Sequence, residues 1–450
     1  MMPSPDLPSR RYRWASAAVL TLLLGVIALQ FDNYGTSWDE DFQIRWGEAK
    51  WQFYAEVLAG ERSLFDASDL TGSVVHPGFF DLLNAAARRV LPFDAYTTGH
   101  LLSALFGWAG LLAVWLMGRR LGGERGGFWA LALLLCLPRY YGHLWFNPKD
   151  IPFAALNAWA LLALLGCCRA FPRLHWPSLA AFGVLAGCAL GIRIAALLVF
   201  GYFGLLATAA VVGPVLAKRS SWLAAVRPWL TLALGGVAAL TLALVVSLPF
   251  WPGIWLDTSE RGGANAVEAL ERAQQFDWDY PVLFAGEFTN APQLPRTYLL
   301  TWLLITTPEY HLVLLAVGVG VLVAAGRRGR FGPAHWDGRT LGVALLLLAA
   351  LFPLAYVMLT KPVIYDGLRH FLFVLPPLAV LAALSLGAAQ DWLAGQARYQ
   401  RIACGLPVFA GLCCLVTLFQ YNRAHPLEYV SFNSLVGGLP GAYGQYETDY

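Results

Sequence analysis

The sequence predicts an all-α, polytopic integral membrane protein of about 11 transmembrane helices, with amphipathic interface helices in its first outer loop. Three observations carry that prediction. Of the 450 residues, 58% are hydrophobic and only 13% charged, with a mean hydropathy of +0.55, against about 25% charged in soluble domains. Apolar stretches of bilayer length recur along the chain, since about 20 residues cross the hydrocarbon and roughly 17–25 are tolerated. The charges, finally, are sorted by side. With the basic N-terminus (Arg10, Arg11, Arg13) in the cytoplasm, the inner segments hold 17 Lys/Arg and 4 Asp/Glu, and the outer segments 14 and 24.

The spans read as 14–31, 97–118, 127–143, 150–168, 177–192, 194–216, 229–250, 298–325, 341–359, 371–389 and 402–420. The fifth is short, and the fifth and sixth are divided at Gly191-Ile192-Arg193. Short inner loops carry Arg119, Arg120 and Arg125, then Arg169 and Arg173, then Lys218, Arg219 and Arg227, then Arg327, Arg328 and Arg330. Lys and Arg in short loops set orientation, and all of these agree with the N-terminus inside and the C-terminus outside. The first span ends Ala28-Leu29-Gln30 without a small-x-small cleavage pattern, so it reads as a retained anchor. All seven cysteines lie in or at the ends of apolar spans, which predicts neither a disulfide framework nor a zinc site. No internal repeat is visible, which weighs against the inverted-repeat transporters.

Residues 1–420 therefore read as one transmembrane domain, followed by a short outer tail, 421–450. The other outer segments run 32–96 and 251–297. In the first, Trp38, Phe42, Trp46, Ala49, Phe53 and Val57 recur at helical spacing, with Asp41, Arg45, Glu48, Lys50 and Glu56 elsewhere on the wheel. A Trp/Phe-rich amphipathic helix of this kind lies in the membrane interface. A second one is predicted at 79–91, with Phe79, Leu82, Leu83, Ala86 and Val90. Two such helices after the first span would roof a cavity at the outer leaflet.

Acids contribute little to orientation, so their excess outside points to chemistry there. Asp39 and Glu40, in Ser37-Trp38-Asp39-Glu40-Asp41, follow the first span. Ser37-x-x-Glu40 fits a capping box, and acids suit a helix's first turn; the other reading makes one of them a base in a cavity. In Asn147-Pro148-Lys149-Asp150-Ile151-Pro152, Asp150 is either an N-cap or a site acid. Ionisable groups at membrane depth cost about 2.5–3.5 kcal/mol each, so they are functional by default. A third set is cationic: Arg193, Lys361 and Arg369-His370. Arg matches phosphate with a planar fork and Lys with a point charge, whereas snorkelling to lipid headgroups is the plain alternative. His76 and His100 read as structural. There is no glycine-rich phosphate loop, no Cys/His metal spacing and no Gly-x-Ser-x-Gly elbow.

At these residues the chain resembles the C-type glycosyltransferases, family 39 type, in the branch holding the protein O-mannosyltransferases and the lipid A aminoarabinose transferases. The likeness spans about residues 10–420. It rests on Asp39-Glu40 at the start of the first outer loop, the two interface helices behind it, Asp150 in the second outer loop, and Arg369-His370-Phe371-Leu372 leading to Pro376-Pro377. Asp41 makes the first-loop acid ambiguous, His370 stands where Tyr is commoner, and only the tail with His425-Pro426-Leu427-Glu428-Tyr429 follows the last span.

The resemblance implies a polyprenyl-phosphate-linked sugar as donor and transfer at the outer face of the plasma membrane to an acceptor that is a protein, a lipid or a polysaccharide. The residues agree with it independently. A polyprenyl phosphate leaves as a phosphate monoester with a second pKa near about 6, so it needs no general acid. What remains is one carboxylate to take the acceptor's proton and cations for the phosphate. Asp39, with Glu40 and Asp150 orienting, would serve as the first. Lys149, Arg193, Lys361, Arg369 and His370 would serve as the second. No cofactor or metal is predicted, although a divalent cation at the first-loop acid stays open, and nucleic acid is not among the partners. The rivals are a transporter or lipid flippase, and a lipid-diphosphate-dependent polysaccharide ligase or polymerase.

Overall fold

A computed structural model describes residues 7–67, 70, 76–252, 280–329, 332–333 and 336–448. Most of the second outer segment, 253–279, lies outside the described residues. The remainder is helical apart from one hairpin. Helix α1 (Leu7–Gln30) leads to the two interface helices, α2 (Glu40–Leu58) and α3 (Phe79–Ala87). There follow α4 (Ala95–Leu135), the short α5 (Pro138–His143), α6 (Asp150–Ala170), α7 (Trp176–Leu190), α8 (Leu198–Leu216) and α9 (Trp222–Ser247). After strands β1 (Pro281–Phe284) and β2 (Glu287–Asn290) come α10 (Tyr298–Thr306), α11 (Glu309–Arg327), α12 (Gly338–Thr360), α13 (Leu375–Ala394), α14 (Gln400–Ala424) and α15 (Gly438–Ala442).

Among the described residues, nine helices are long and apolar enough to cross a membrane, where the sequence predicts about eleven segments. The difference lies in two places. Expected span 97–118 and the first part of 127–143 fall in the single 41-residue α4, and the rest of 127–143 leaves it for α5; α4 breaks at left-handed Gly123 (φ 69°). Its two limbs double back so closely that a Cβ on Gly118 would lie 2.6 Å from the Gly126 carbonyl oxygen. The expected fifth span, α7, has only 15 residues. The predicted 298–325 segment is also corrected: Thr307-Pro308 divides it into α10 and α11, because a residue before proline is pushed out of the helical region.

Asp94 starts α4 by accepting the backbone N–H groups of Tyr96 (2.9 Å) and Thr97 (3.1 Å), and Asp337 starts α12 through Thr340 N–H (2.8 Å). Helix α6 is the hub, buried on nearly all sides, while α11 and α14 present mostly exposed apolar faces. Small residues let backbones approach as in other membrane helix pairs. A Cβ on Gly187 would lie 2.7 Å from the Ala243 carbonyl oxygen, where α7 meets α9.

The interface helices pack polar side inward. Glu40, Gln43 and Lys50 of α2 are buried, while Trp38 and Phe42 are exposed. Phe53 departs from the predicted outward stripe by turning in against Ala67 and Leu70. Helix α3 ends at Ala87, short of the predicted 91. Backbone bonds from Gly78 N–H to Phe250 O (2.8 Å) and from Phe79 N–H to Gly191 O (2.7 Å) tie it to the ends of α9 and α7. Chain 425–447 is built into this same end of the bundle. Tyr34 Oη donates to Glu428 Oε1 (3.0 Å), Asn433 Nδ2 donates to Leu304 O (2.6 Å) and Thr307 O (2.7 Å), and Tyr446 bridges to Phe284 of β1.

Candidate active site

Asp366 and Gly367, both left-handed (φ 55° and 61°), form the turn that precedes Arg369. The Tyr298 hydroxyl fixes that turn by accepting Gly367 N–H at 2.9 Å. The turn aims the buried Arg369 guanidinium at three carboxylates: Nη2 lies 2.7 Å from Asp366 Oδ2, Nη1 3.0 Å from Asp39 Oδ2, and Nε 3.6 Å from Asp150 Oδ2. The second oxygen of Asp150 takes the guanidinium of Arg193. Stretches 39–40, 147–150, 193 and 366–370 thus share one end of the bundle.

Local helix chemistry decides which acids are free. Asn147 does the capping expected of Asp150. Its Oδ1 accepts the backbone N–H groups of Lys149 (3.1 Å) and Asp150 (2.7 Å), and its Nδ2 donates to Asp150 Oδ2 (3.0 Å). The Asp150 carboxylate is therefore turned to the arginines rather than to its own helix. Glu40 is occupied on both oxygens. Oε2 accepts Ser37 N–H at 2.5 Å, which is half of the predicted capping box, and Oε1 lies 2.8 Å from His100 Nε2. Asp41 is exposed and pairs with Arg45. Asp39 alone of the three is partly exposed and held through one oxygen by an arginine.

Of the predicted cations, Arg193, Arg369 and Lys149 gather here. Lys149 Nζ lies 3.4 Å from His76 Nδ1. Burial, then the nearby Arg193, pull the Lys149 ammonium down to about 8, against the pull of Asp39 and Asp150. Burial and the same cations hold His76 down to about 2, so it faces Lys149 as a neutral ring. His370 Nε2 lies 3.0 Å from Arg369 Nη2, behind the guanidinium. Lys361 stands apart: it is exposed, left-handed (φ 51°) at the end of α12, and pairs with no carboxylate among the described residues.

Sequence reasoning missed four members. Asp366 carried a turn signal in Asp366-Gly367 but no chemical motif. Lys50, fully buried 3.9 Å from Asp81 Oδ2, sits on the polar face of a helix where solvent is the ordinary expectation. Burial raises Asp81 to about 6 and Lys50 opposes the rise. His76, read as structural, stacks on Trp46 at 4.9 Å between ring centres. Among the described residues no three His, Cys, Asp or Glu side chains group as metal ligands would.

No sequence family and no curated protein matches this chain. Among solved structures, it is similar to ArnT from Cupriavidus metallidurans in the apo state, with a TM-score of 0.52 and 16% identity over 96% of this chain and 78% of that one. ArnT bound to undecaprenyl phosphate gives 0.49 and 15%, over 95% and 75%. The apo oligosaccharyltransferase of Archaeoglobus fulgidus gives 0.49 and 13%, over 97% of this chain and 56% of that one. The expected resemblance to the lipid A aminoarabinose transferases is thus present in the backbone, and the chain has the all-α, polytopic membrane fold of ArnT.

Proposed function

We propose that this protein is an integral membrane glycosyltransferase that moves a sugar from a polyprenyl-phosphate carrier to an acceptor at the outer face of the plasma membrane, with inversion at the anomeric carbon. The observation that carries this reading is the convergence of Asp39, Asp150 and Asp366 on Arg369, beside Arg193 and Lys149, at one end of an ArnT-like bundle.

In the proposed reaction Asp39 accepts the proton of the acceptor's nucleophile as that atom bonds to the anomeric carbon. The bond from that carbon to the phosphate oxygen breaks on the opposite face, and the electron pair leaves with the polyprenyl phosphate. Arg369, Arg193 and Lys149 neutralise the charge that develops there. Asp150 and Asp366 hold the two arginines, and His370 backs Arg369. Glu40, fixed by His100 and Ser37, sets the turn that presents Asp39. Lys361 has no part in this set. The charge sorting supports a cytoplasmic N-terminus, with this end of the bundle outside. Chain 425–447 then belongs to the site's end of the membrane domain.

A flippase would gather its ionisable groups near the bilayer midplane, whereas these lie where the helices end. Replacing Asp39 by Asn tests the reading in liposomes supplied with an undecaprenyl-phosphate sugar. Transfer, and with it release of free undecaprenyl phosphate, is expected to fall about 10²–10⁴-fold. Unimpaired turnover in that variant overturns the role of Asp39. Movement of the carrier without its cleavage overturns the enzyme.

A further inference from the structure

We infer that His76 is the positioning residue of Lys149: an uncharged acceptor, backed by Trp46, that aims the ammonium at the carrier phosphate without cancelling its charge. This rests on the glycosyltransferase reading above.

His76 begins the short loop into α3, and that loop is anchored on both sides. Its Gly78 N–H reaches Phe250 O (2.8 Å), and its Phe79 N–H reaches Gly191 O (2.7 Å), two residues before Arg193. The His76 ring lies against Trp46 of α2, with 4.9 Å between ring centres and 23° between planes. Its Nδ1 stands 3.4 Å from Lys149 Nζ. An ammonium has three donors and no acceptor, so Nδ1 is the bare nitrogen and the ring proton sits on Nε2. Residues 76–79 therefore hold Lys149 through a side chain and the Arg193 segment through the backbone. The same loop sets the spacing of two cations assigned to the phosphate.

Charge explains why the partner is an imidazole. The nearby acids are engaged elsewhere: Asp150 by Arg193 and Arg369, Asp39 by Arg369, and Asp81 by Lys50. Among the described residues no carboxylate lies within 4.0 Å of the Lys149 ammonium. A carboxylate at position 76 would neutralise the charge that the phosphate needs. A neutral ring takes one N–H and leaves two, with the full charge, for phosphate oxygens. The ring stays neutral because burial, then Lys149, Arg193 and Lys50, all oppose its protonation. Around Lys149 itself, Arg193 opposes the charge, while Asp39, Asp150 and Asp81 support it.

The test measures binding of undecaprenyl phosphate to the full-length protein in nanodiscs between about pH 6 and 10, a range that brackets the Lys149 titration. His76→Phe keeps a ring on Trp46 but removes the acceptor. It is expected to weaken binding at pH 7 about tenfold and to move the pH midpoint down by about one unit, since a hydrogen bond to the charged form is lost. His76→Asn, whose amide oxygen replaces Nδ1, should keep the midpoint and bind within about twofold of the unaltered protein. In a Lys149→Met background His76→Phe should cost nothing more. Where the phenylalanine variant does not fold, His76→Leu takes its place in each comparison. An unmoved midpoint in the variant without an acceptor, a failure of asparagine to restore it, or a further loss in the Lys149→Met background overturns the inference alone. An unaltered protein that binds no undecaprenyl phosphate at any pH overturns the glycosyltransferase reading along with it.

Discussion

Lys149 works against its surroundings. Its folded-state pKa of about 8 lies below the ordinary lysine value of 10.5. In the folded protein its charge is therefore complete well below pH 8 and lost as pH rises through 8, while an unfolded chain keeps it to about 10.5. The carrier phosphate, with a second pKa near about 6, is largely ionised by pH 7, so a fall in carrier binding near pH 8 would report the ammonium and not the ligand. We expect affinity for undecaprenyl phosphate to drop between pH 7 and 9, and Lys149→Arg to move that drop upward, because a guanidinium stays charged throughout. A flat profile over this range would remove Lys149 from the phosphate site. Neighbouring His76, held neutral, has no charge to lose over that interval.

At the scale of elements, the buried contact of Lys50 with Asp81 depends on how closely α2 and α3 approach. A Cβ on Gly47 would stand 2.3 Å from the Asp81 carbonyl oxygen, a contact that only backbone movement relieves. Gly47→Val should push α3 outward, take Asp81 and Phe80 with it, and lower stability by about 1–3 kcal/mol, the usual cost of overpacking. Ala49→Val, on the exposed side of the same helix, is the control. Equal melting temperatures for the two variants would show that the α2–α3 contact is not closely packed. A related economy operates at Asn147: by capping α6 it leaves the Asp150 carboxylate to the arginines. Asn147→Ala is therefore expected to weaken the helix start and the site together.

Across the whole molecule, every described segment of the site lies where a helix ends. The opposite end is held by different pairs, such as the Arg125 fork on Asp391 at 2.8 Å. The C-terminal chain closes the site end. Glu428 is shared by Tyr34 and His425, both at 3.0 Å, and a Cβ on Gly142 would lie 2.2 Å from the Tyr429 nitrogen. Truncation after Ala424 removes the bonds of Glu428 and Asn433. At about 1 kcal/mol each it should cost about 3–4 kcal/mol of stability, read as a lower melting temperature in detergent. An unchanged melting temperature would make this segment the loose tail that its sequence suggests.

Composition and charge order along the chain were enough to read a polytopic helical membrane protein, because bilayer length and loop charge are local properties of sequence. The acids flanking the first and fourth spans, and Arg369 before Pro376-Pro377, were legible for the same reason: polar groups at a span's edge stand out against the apolar background. Tertiary structure decided what depends on contact. It set Glu40 beside His100, sixty residues away, and Asp41 beside an exposed arginine, and left Asp39 partly exposed against Arg369. It brought in Asp366 and buried Lys50 against Asp81, and it left Lys361 outside. It also turned an apparent tail into one wall of the bundle. No spacing rule reaches these pairings, since an ion pair between distant segments is set by how helices cross and by which polar groups no longer meet water.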